Sequence, residues 1–126
     1  KNLAKDIMTE KALTISQNAS VQEAVKLMKK KGISQLPVVE NQAIIGTVSE
    51  GLIVDKIRQF ENQDEFMQKK VAEIMDDALP QVTEETPANV INALLEHKPA
   101  VLVVKKGKIT GIISRSDLLG SMIAKK

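Results

Sequence analysis

The residues best equipped for chemistry gather near the C-terminal end, in Ser114-Arg115-Ser116-Asp117, with Gly111 three positions before the first serine. Serine and aspartate at this spacing, at the start of a helix, suit two kinds of chemistry. A carboxylate accepts two hydrogen bonds from a vicinal diol, and the free N–H groups and dipole of a helix N-terminus favour anionic groups. The same Ser-x-x-Asp spacing is also a capping pair, and taken alone it favours capping. Arg115, between the two, has the charge and geometry for a phosphate.

The remaining inventory is thin. His97 is the single histidine, beside Lys98 and just before Pro99, where a solvated residue at a helix C-terminus is expected. Lys29 to Lys31 read as a solvated helix end with charge to offer a phosphate. There is no cysteine, so neither a Cys/His zinc site nor a Ser-His-Asp triad has its material. Carboxylates show no clustering that would support a metal. No Gly-x-Gly-x-x-Gly or Walker pattern occurs, since Gly107-Lys108 lacks both the earlier glycine and the hydroxyl. No catalytic cofactor is implied.

Composition narrows the class further. The 126 residues carry 18 basic and 16 acidic side chains and only two aromatics, Phe60 and Phe66. The charge is spread evenly: 9 basic and 9 acidic residues up to Phe66, then 9 and 7. That is no footprint for nucleic acid, and there is little to stack bases on. The longest apolar run, Ala100 to Val104, is far short of the roughly 20 residues of a membrane span, and residues 1–6 carry no signal-like apolar stretch. The expectation is a soluble, cytoplasmic segment that binds neither nucleic acid nor membrane. Its opening at Lys1 without a methionine suggests an excised or processed fragment.

The elements that position the Ser/Asp pair emerge from an internal repeat. Asp6-Ile7-Met8 recurs as Glu73-Ile74-Met75, a shift of 67. Val21, Ala24, Leu27 and Met28 fall on Ala88, Ile91, Leu94 and Leu95 at the same shift, so one apolar helix face is written twice. After a two-residue deletion the shift is 65, and Val38-Val39, Ile44, Gly46 and Ser49 meet Val103-Val104, Ile109, Gly111 and Ser114.

Each copy reads as strand, helix, strand, strand, helix. In the first, a short strand at Leu13 to Ile15 precedes a capping box, Ser20 to Glu23, and a helix that stops near Lys31-Gly32. Strands follow at Gln35 to Val39 and Ile44 to Val48, joined by a turn at Glu40-Asn41-Gln42. Ser49 opens a helix with Ile53, Val54, Ile57 and Phe60 on one face. In the second copy, Gln81-Val82 leads to Thr86 as N-cap with Pro87 at the first helical position. Ala100 to Val104, a Lys105-Lys106-Gly107 turn, Ile109 to Ile113 and a helix from Ser114 complete it. Glu61 to Lys70 reads as a polar connector, with Met67, Val71, Ile74 and Met75 spaced as a helix stripe. At about 50 residues each, the halves are marginal alone, and one core shared by two sheets is expected.

With Asp6-Ile7-Met8-Thr9 at the start, Gly32 to Val39 in the middle and Gly111 to Leu119 at the end, the chain resembles a tandem pair of CBS domains, the Bateman module. The likeness covers residues 3–122. It is also similar to the CBS pair that archaeal transcription regulators carry after a helix-turn-helix domain. The resemblance implies an α/β (α+β) fold: two β-α-β-β-α repeats with pseudo-two-fold symmetry, packed through their sheets. Residues 3–60 would form the first repeat, 61–70 a connector and 71–122 the second.

In function, the resemblance implies a regulatory module, not an enzyme. Such a module senses AMP, ADP, ATP, S-adenosylmethionine or methylthioadenosine and controls an attached or partner domain. Homodimers through helices such as Ile53 to Phe60 and Leu118 to Ile123 are also implied. The helix-opening pattern Gly-x-x-Ser/Thr-x-x-Asp assigns Asp117 to the ribose hydroxyls and Ser114 to the phosphate or its neighbours. Family analogy adds Ile33, Ser34, Gln35 and Pro37, with backbone groups of Ile33 and Gln35 reading the adenine edge, and Leu3 and Met8 lining the same site. Ile33, Leu36, Val38 and Met8 also suit a plain core role. The first copy keeps Gly46 and Ser49 but has Leu52 where Asp117 stands, so its own site, with Ser49, Pro99, Ala100 and Val101, is expected to be weaker or empty. The rival reading is a structural dimerisation or docking domain that binds no ligand.

Overall fold

A computed structural model describes residues 2–124. The chain divides into two compact units, one of Leu13–Ala78 and one of Lys1–Ala12 with Leu79–Lys126. The N-terminal arm, a single turn α1 (Ala4–Ile7) and a two-residue strand β1 (Thr9–Glu10), therefore joins the C-terminal half.

In the unit Leu13–Ala78, β2 (Ile15–Ser16), β3 (Gln35–Glu40) and β4 (Ala43–Ser49) form a sheet in the order β2-β3-β4, parallel and then antiparallel. Helix α2 (Val21–Lys31) begins with the expected capping box, Ser20 Oγ accepting from Glu23 N–H at 3.0 Å. It ends on Gly32 in the left-handed region (φ 65°), where Ile33 N–H reaches back to the Met28 carbonyl at 3.0 Å. Val21, Ala24 and Met28 put one face of α2 into a core with Leu36, Val38 and Val48. Helix α3 (Glu50–Ile57) starts at Ser49, whose hydroxyl accepts from Leu52 N–H at 3.1 Å.

Two details of this unit differ from the sequence reading. Val54 is 48% exposed while Ile53 is buried, and α3 ends at Ile57, so Phe60 is not on its face. Phe60 instead stacks, tilted, on Phe66 at 5.0 Å between ring centres. Phe66 belongs to α4 (Gln63–Met67) in the polar stretch 61–70, and it is fully buried. One large aromatic among polar neighbours gives no periodic signal, but it fills a core built of aliphatic side chains.

The other unit has β5 (Gln81–Val82), β6 (Ala100–Lys105) and β7 (Lys108–Ser114) in a four-stranded sheet, order β1-β7-β6-β5. Helix α5 (Ala88–Leu94) buries Ile91, and α6 (Arg115–Ala124) follows β7 directly. Pro87, not Thr86, is the N-cap of α5, and no side chain caps it. Thr86 is occupied elsewhere: its hydroxyl accepts from Thr83 N–H at 3.1 Å and its carbonyl from Ala4 N–H at 2.8 Å.

The repeat survives in atomic detail. The hairpin loops Asn41-Gln42 and Lys106-Gly107 both place two residues at positive φ, as a type I′ turn demands. Both hairpins carry an irregularity in the same place, at Val38/Val39 and Val103/Val104. Val71 N–H donates to the Ala19 carbonyl and Ala72 N–H to that of Gln17; 67 positions earlier, Ala4 and Lys5 bond Thr86 and Glu84 in the same way. Likewise Asp76 bridges Thr47, as Thr9 pairs with Ile112. Each arm thus pairs with a strand of the other sequence repeat, the first as β1 of a sheet and the second through the Thr47–Asp76 bridge.

Candidate functional site

The Ser/Asp pair lies where β7 turns into α6. Asp117 Oδ2 accepts from the Ser114 N–H at 2.9 Å and its hydroxyl at 3.0 Å, while Ser114 Oγ accepts from Asp117 N–H at 3.2 Å. This is the reciprocal cap anticipated from the spacing. It also holds a partly buried carboxylate at the positive end of the ten-residue α6. The outer oxygen, Oδ1, accepts from the Thr9 hydroxyl at 3.0 Å.

Arg115 spends its Nε on the Leu95 carbonyl at 2.8 Å, tying α6 to the end of α5 and leaving its terminal nitrogens to other partners. Met8 is partly buried against Gly111: a Cβ at Gly111 would run into the Met8 sulfur and Cγ. The glycine of the motif is therefore explained by a methionine packed on the strand. Gly46 repeats the arrangement, with a Cβ there falling 2.6 Å from the Met75 sulfur and 2.8 Å from the Asp76 carbonyl oxygen. Leu3 is near Met8 in the same arm, bridged to Pro87.

Ile33, Ser34, Gln35 and Pro37 lie in the unit Leu13–Ala78, on the segment entering β3. The N–H of Ile33 is committed to closing α2, and the Ser34 carbonyl accepts from Glu50 N–H at 3.0 Å. The Ser34 hydroxyl donates to Gln35 Oε1 at 3.0 Å, and Pro37 is buried opposite Thr47. For the second, weaker set, Ser49 caps α3 while Pro99, Ala100 and Val101 enter β6 of the other unit, the last two fully buried. Leu52, on α3 at the position of Asp117, packs partly buried against the core.

His97 and Lys29 to Lys31 are exposed, in keeping with solvated positions. Among the described residues no three His, Cys, Asp or Glu side chains could hold a metal ion, and no helix is long and apolar enough to cross a membrane. The sequence reading passed over Thr9. The shift of 67 aligns it with Asp76, but a two-residue strand carries no periodicity of its own.

The profile of the CBS domain matches residues 4–59 and 71–124. The chain belongs to the CBS domain family. Its CBS pair is similar to a putative signal-transduction protein with CBS domains from Burkholderia ambifaria, at 31% identity and TM-score 0.82, over 93% of this chain and 86% of that one. The CBS domain pair of protein MJ0100, solved in complex with 5′-methylthioadenosine and S-adenosyl-L-methionine, is 25% identical with TM-score 0.83, over 99% and 98% of the two chains. Among curated proteins, the zinc metalloprotease MJ0392 of Methanocaldococcus jannaschii is 32% identical over 97% of this CBS pair but only 33% of that protein. The chain spans 33%, 44% and 37% of the first three curated relatives.

Proposed function

We propose that this CBS pair is a non-catalytic, cytoplasmic regulatory module that binds an adenosine-containing ligand at the start of α6 and controls an attached or partner domain. The observation that carries the reading is the Ser114–Asp117 pair: a carboxylate fixed at a helix N-terminus, whose Oδ1 keeps a lone-pair position for a ribose hydroxyl. Ser114 and the N-terminus of α6 face the phosphate or its neighbours, and the free nitrogens of Arg115 add charge. Leu3 and Met8 line the same site. The family resemblance adds Ile33, Ser34, Gln35 and Pro37 for the adenine, and a second, weaker site with Ser49, Pro99, Ala100 and Val101. The ligand class is that of AMP, ADP and ATP or of S-adenosylmethionine and methylthioadenosine; the complex of the MJ0100 pair supports the latter. Exposed Leu119, Met122 and Ile123 on α6 and Val54 on α3 support a homodimer formed through these helices.

Thermal unfolding with each of these compounds tests the reading. At a ligand concentration a hundred times the dissociation constant, linkage gives about 2.7 kcal/mol of stabilisation. Asp117→Ala is expected to abolish the shift. No shift with any compound overturns the assignment and favours a ligand-free docking domain; an equal shift in the variant overturns the assignment of the site to Asp117.

A further inference from the structure

Asp117 is already in use. A carboxylate offers about four lone-pair positions, two on each oxygen. Ser114 fills both on Oδ2, and Thr9 fills one of the two on Oδ1. The Ser114 donors belong to the same turn as Asp117 and are locked by the reciprocal cap. Thr9 comes from 108 positions away, on an exposed two-residue strand at the sheet edge. Lys11 follows in the left-handed region (φ 60°), before the chain passes into the other unit at Leu13. A ligand diol needs two acceptor positions on Oδ1, and Thr9 leaves one.

The geometry points to Thr9 as a selectivity residue, whose hydroxyl competes with an incoming ribose diol for Asp117 and is displaced by it. The inference rests on Asp117 as the ribose acceptor. A 2′-deoxyribose presents one hydroxyl, takes the vacant position and leaves Thr9 in place. An intact ribose presents two and breaks the Thr9 bond, so β1 keeps only its backbone pairing to β7. Ligand occupancy is thereby written onto the last strand before the chain crosses between units.

Binding of adenosine and of 2′-deoxyadenosine to the whole chain, by calorimetry, tests this in wild type, Thr9→Val, Thr9→Ser and Asp117→Ala. Relieved of competition, Thr9→Val is expected to bind adenosine roughly two- to tenfold more tightly, the range set by one net hydrogen bond. Its affinity for 2′-deoxyadenosine stays at the wild-type value, and Thr9→Ser behaves as wild type with both. Amide exchange adds a second readout. Saturating adenosine speeds exchange at residues 9–11 of the wild type, and in Thr9→Val that fast exchange is present without ligand. Wild-type binding with an unchanged or weakened Thr9→Val overturns the competition alone. Failure of both wild type and Thr9→Val to bind adenosine overturns the competition together with the adenosine reading. Binding by Thr9→Val where wild type shows none supports both.

Discussion

The two units are built from one repeated pattern, yet they spend their polar residues differently. In one, the helix after the hairpin opens with Ser114 and Asp117, and the arm laid against the strand offers Thr9. In the other, the helix opens with Ser49 and Leu52, and the arm offers Asp76 at the position of Thr9. The first unit keeps an acid on the helix, next to the free N–H groups of its first turn. The second has packed that position against its core, and among the described residues its Ser49 hydroxyl bonds only the Leu52 N–H that it caps. Backbone architecture is thus the repeated property, and the polar chemistry at the start of the helix is a property of single side chains laid over it. The sharpest tests put the same substitution into both units.

The largest difference is expected at the paired glycines. A Cβ at Gly46 meets the Asp76 carbonyl oxygen at 2.8 Å as well as the Met75 sulfur at 2.6 Å, whereas at Gly111 the three nearest atoms all belong to the Met8 side chain. Backbone held by the Thr47–Asp76 bridge cannot step aside; a methionine can re-rotamer. Gly46→Ala should therefore cost about 3 kcal/mol and Gly111→Ala about 1, the two ends of the overpacking range. Urea unfolding measures both. Met8→Ala should restore most of the loss in Gly111→Ala, and Met75→Ala little of that in Gly46→Ala. Equal costs, or equal rescue, would remove the distinction between a soft and a hard contact.

These glycines also mark how far the sequence could be read. The helix faces, the Ser20 cap, both hairpin turns and the repeat register were legible because each is a local pattern with its own period or turn chemistry. The Ser114–Asp117 pair was legible for the same reason, and its two roles, cap and acceptor, use one geometry. The crossed placement of the arms was not. Two residues of β1 carry no alternation, and their partner β7 lies about a hundred positions on, beyond any local signal. The space that Gly111 leaves for Met8 was not legible either, because nothing in the sequence around Gly111 names Met8 as its neighbour. Thr86 followed its propensity to a cap, but Ala4 claimed its carbonyl, and the N-cap falls one residue later, on Pro87.

A smaller contrast is expected at the two capping serines. Ser49 Oγ makes a single bond, to Leu52 N–H. Ser114 Oγ makes two, one of them to an ionised carboxylate. Ser49→Ala should cost about 1 kcal/mol, the usual value of an N-cap, and Ser114→Ala about 2, since hydrogen bonds to charged groups are stronger. Asp117→Ala should erase the excess, making a further Ser114→Ala change cost about 1 kcal/mol. Additive losses in that double-mutant cycle would mean that Ser114 and Asp117 act independently.

The smallest effect concerns Thr47 and its counterpart Ile112, adjacent to the two glycines. Thr47 is 5% exposed, and its hydroxyl has no hydrogen-bond partner among the described residues. A buried hydroxyl left unpaired forfeits its hydration, a cost of about 1–3 kcal/mol that an isosteric apolar group avoids. Its backbone is unaffected by such a change, because Thr47 N–H and carbonyl pair with Asp76 at 2.9 and 2.8 Å. Valine also keeps the β-branched shape favoured in a strand. Thr47→Val is therefore expected to raise stability by about 1 kcal/mol, moving the unit Leu13–Ala78 towards the apolar choice the other unit has made at Ile112. A loss of stability would mean that the hydroxyl is paired in solution, and a water bridging Thr47 to a neighbouring carbonyl would then be the feature that separates the two units at this position.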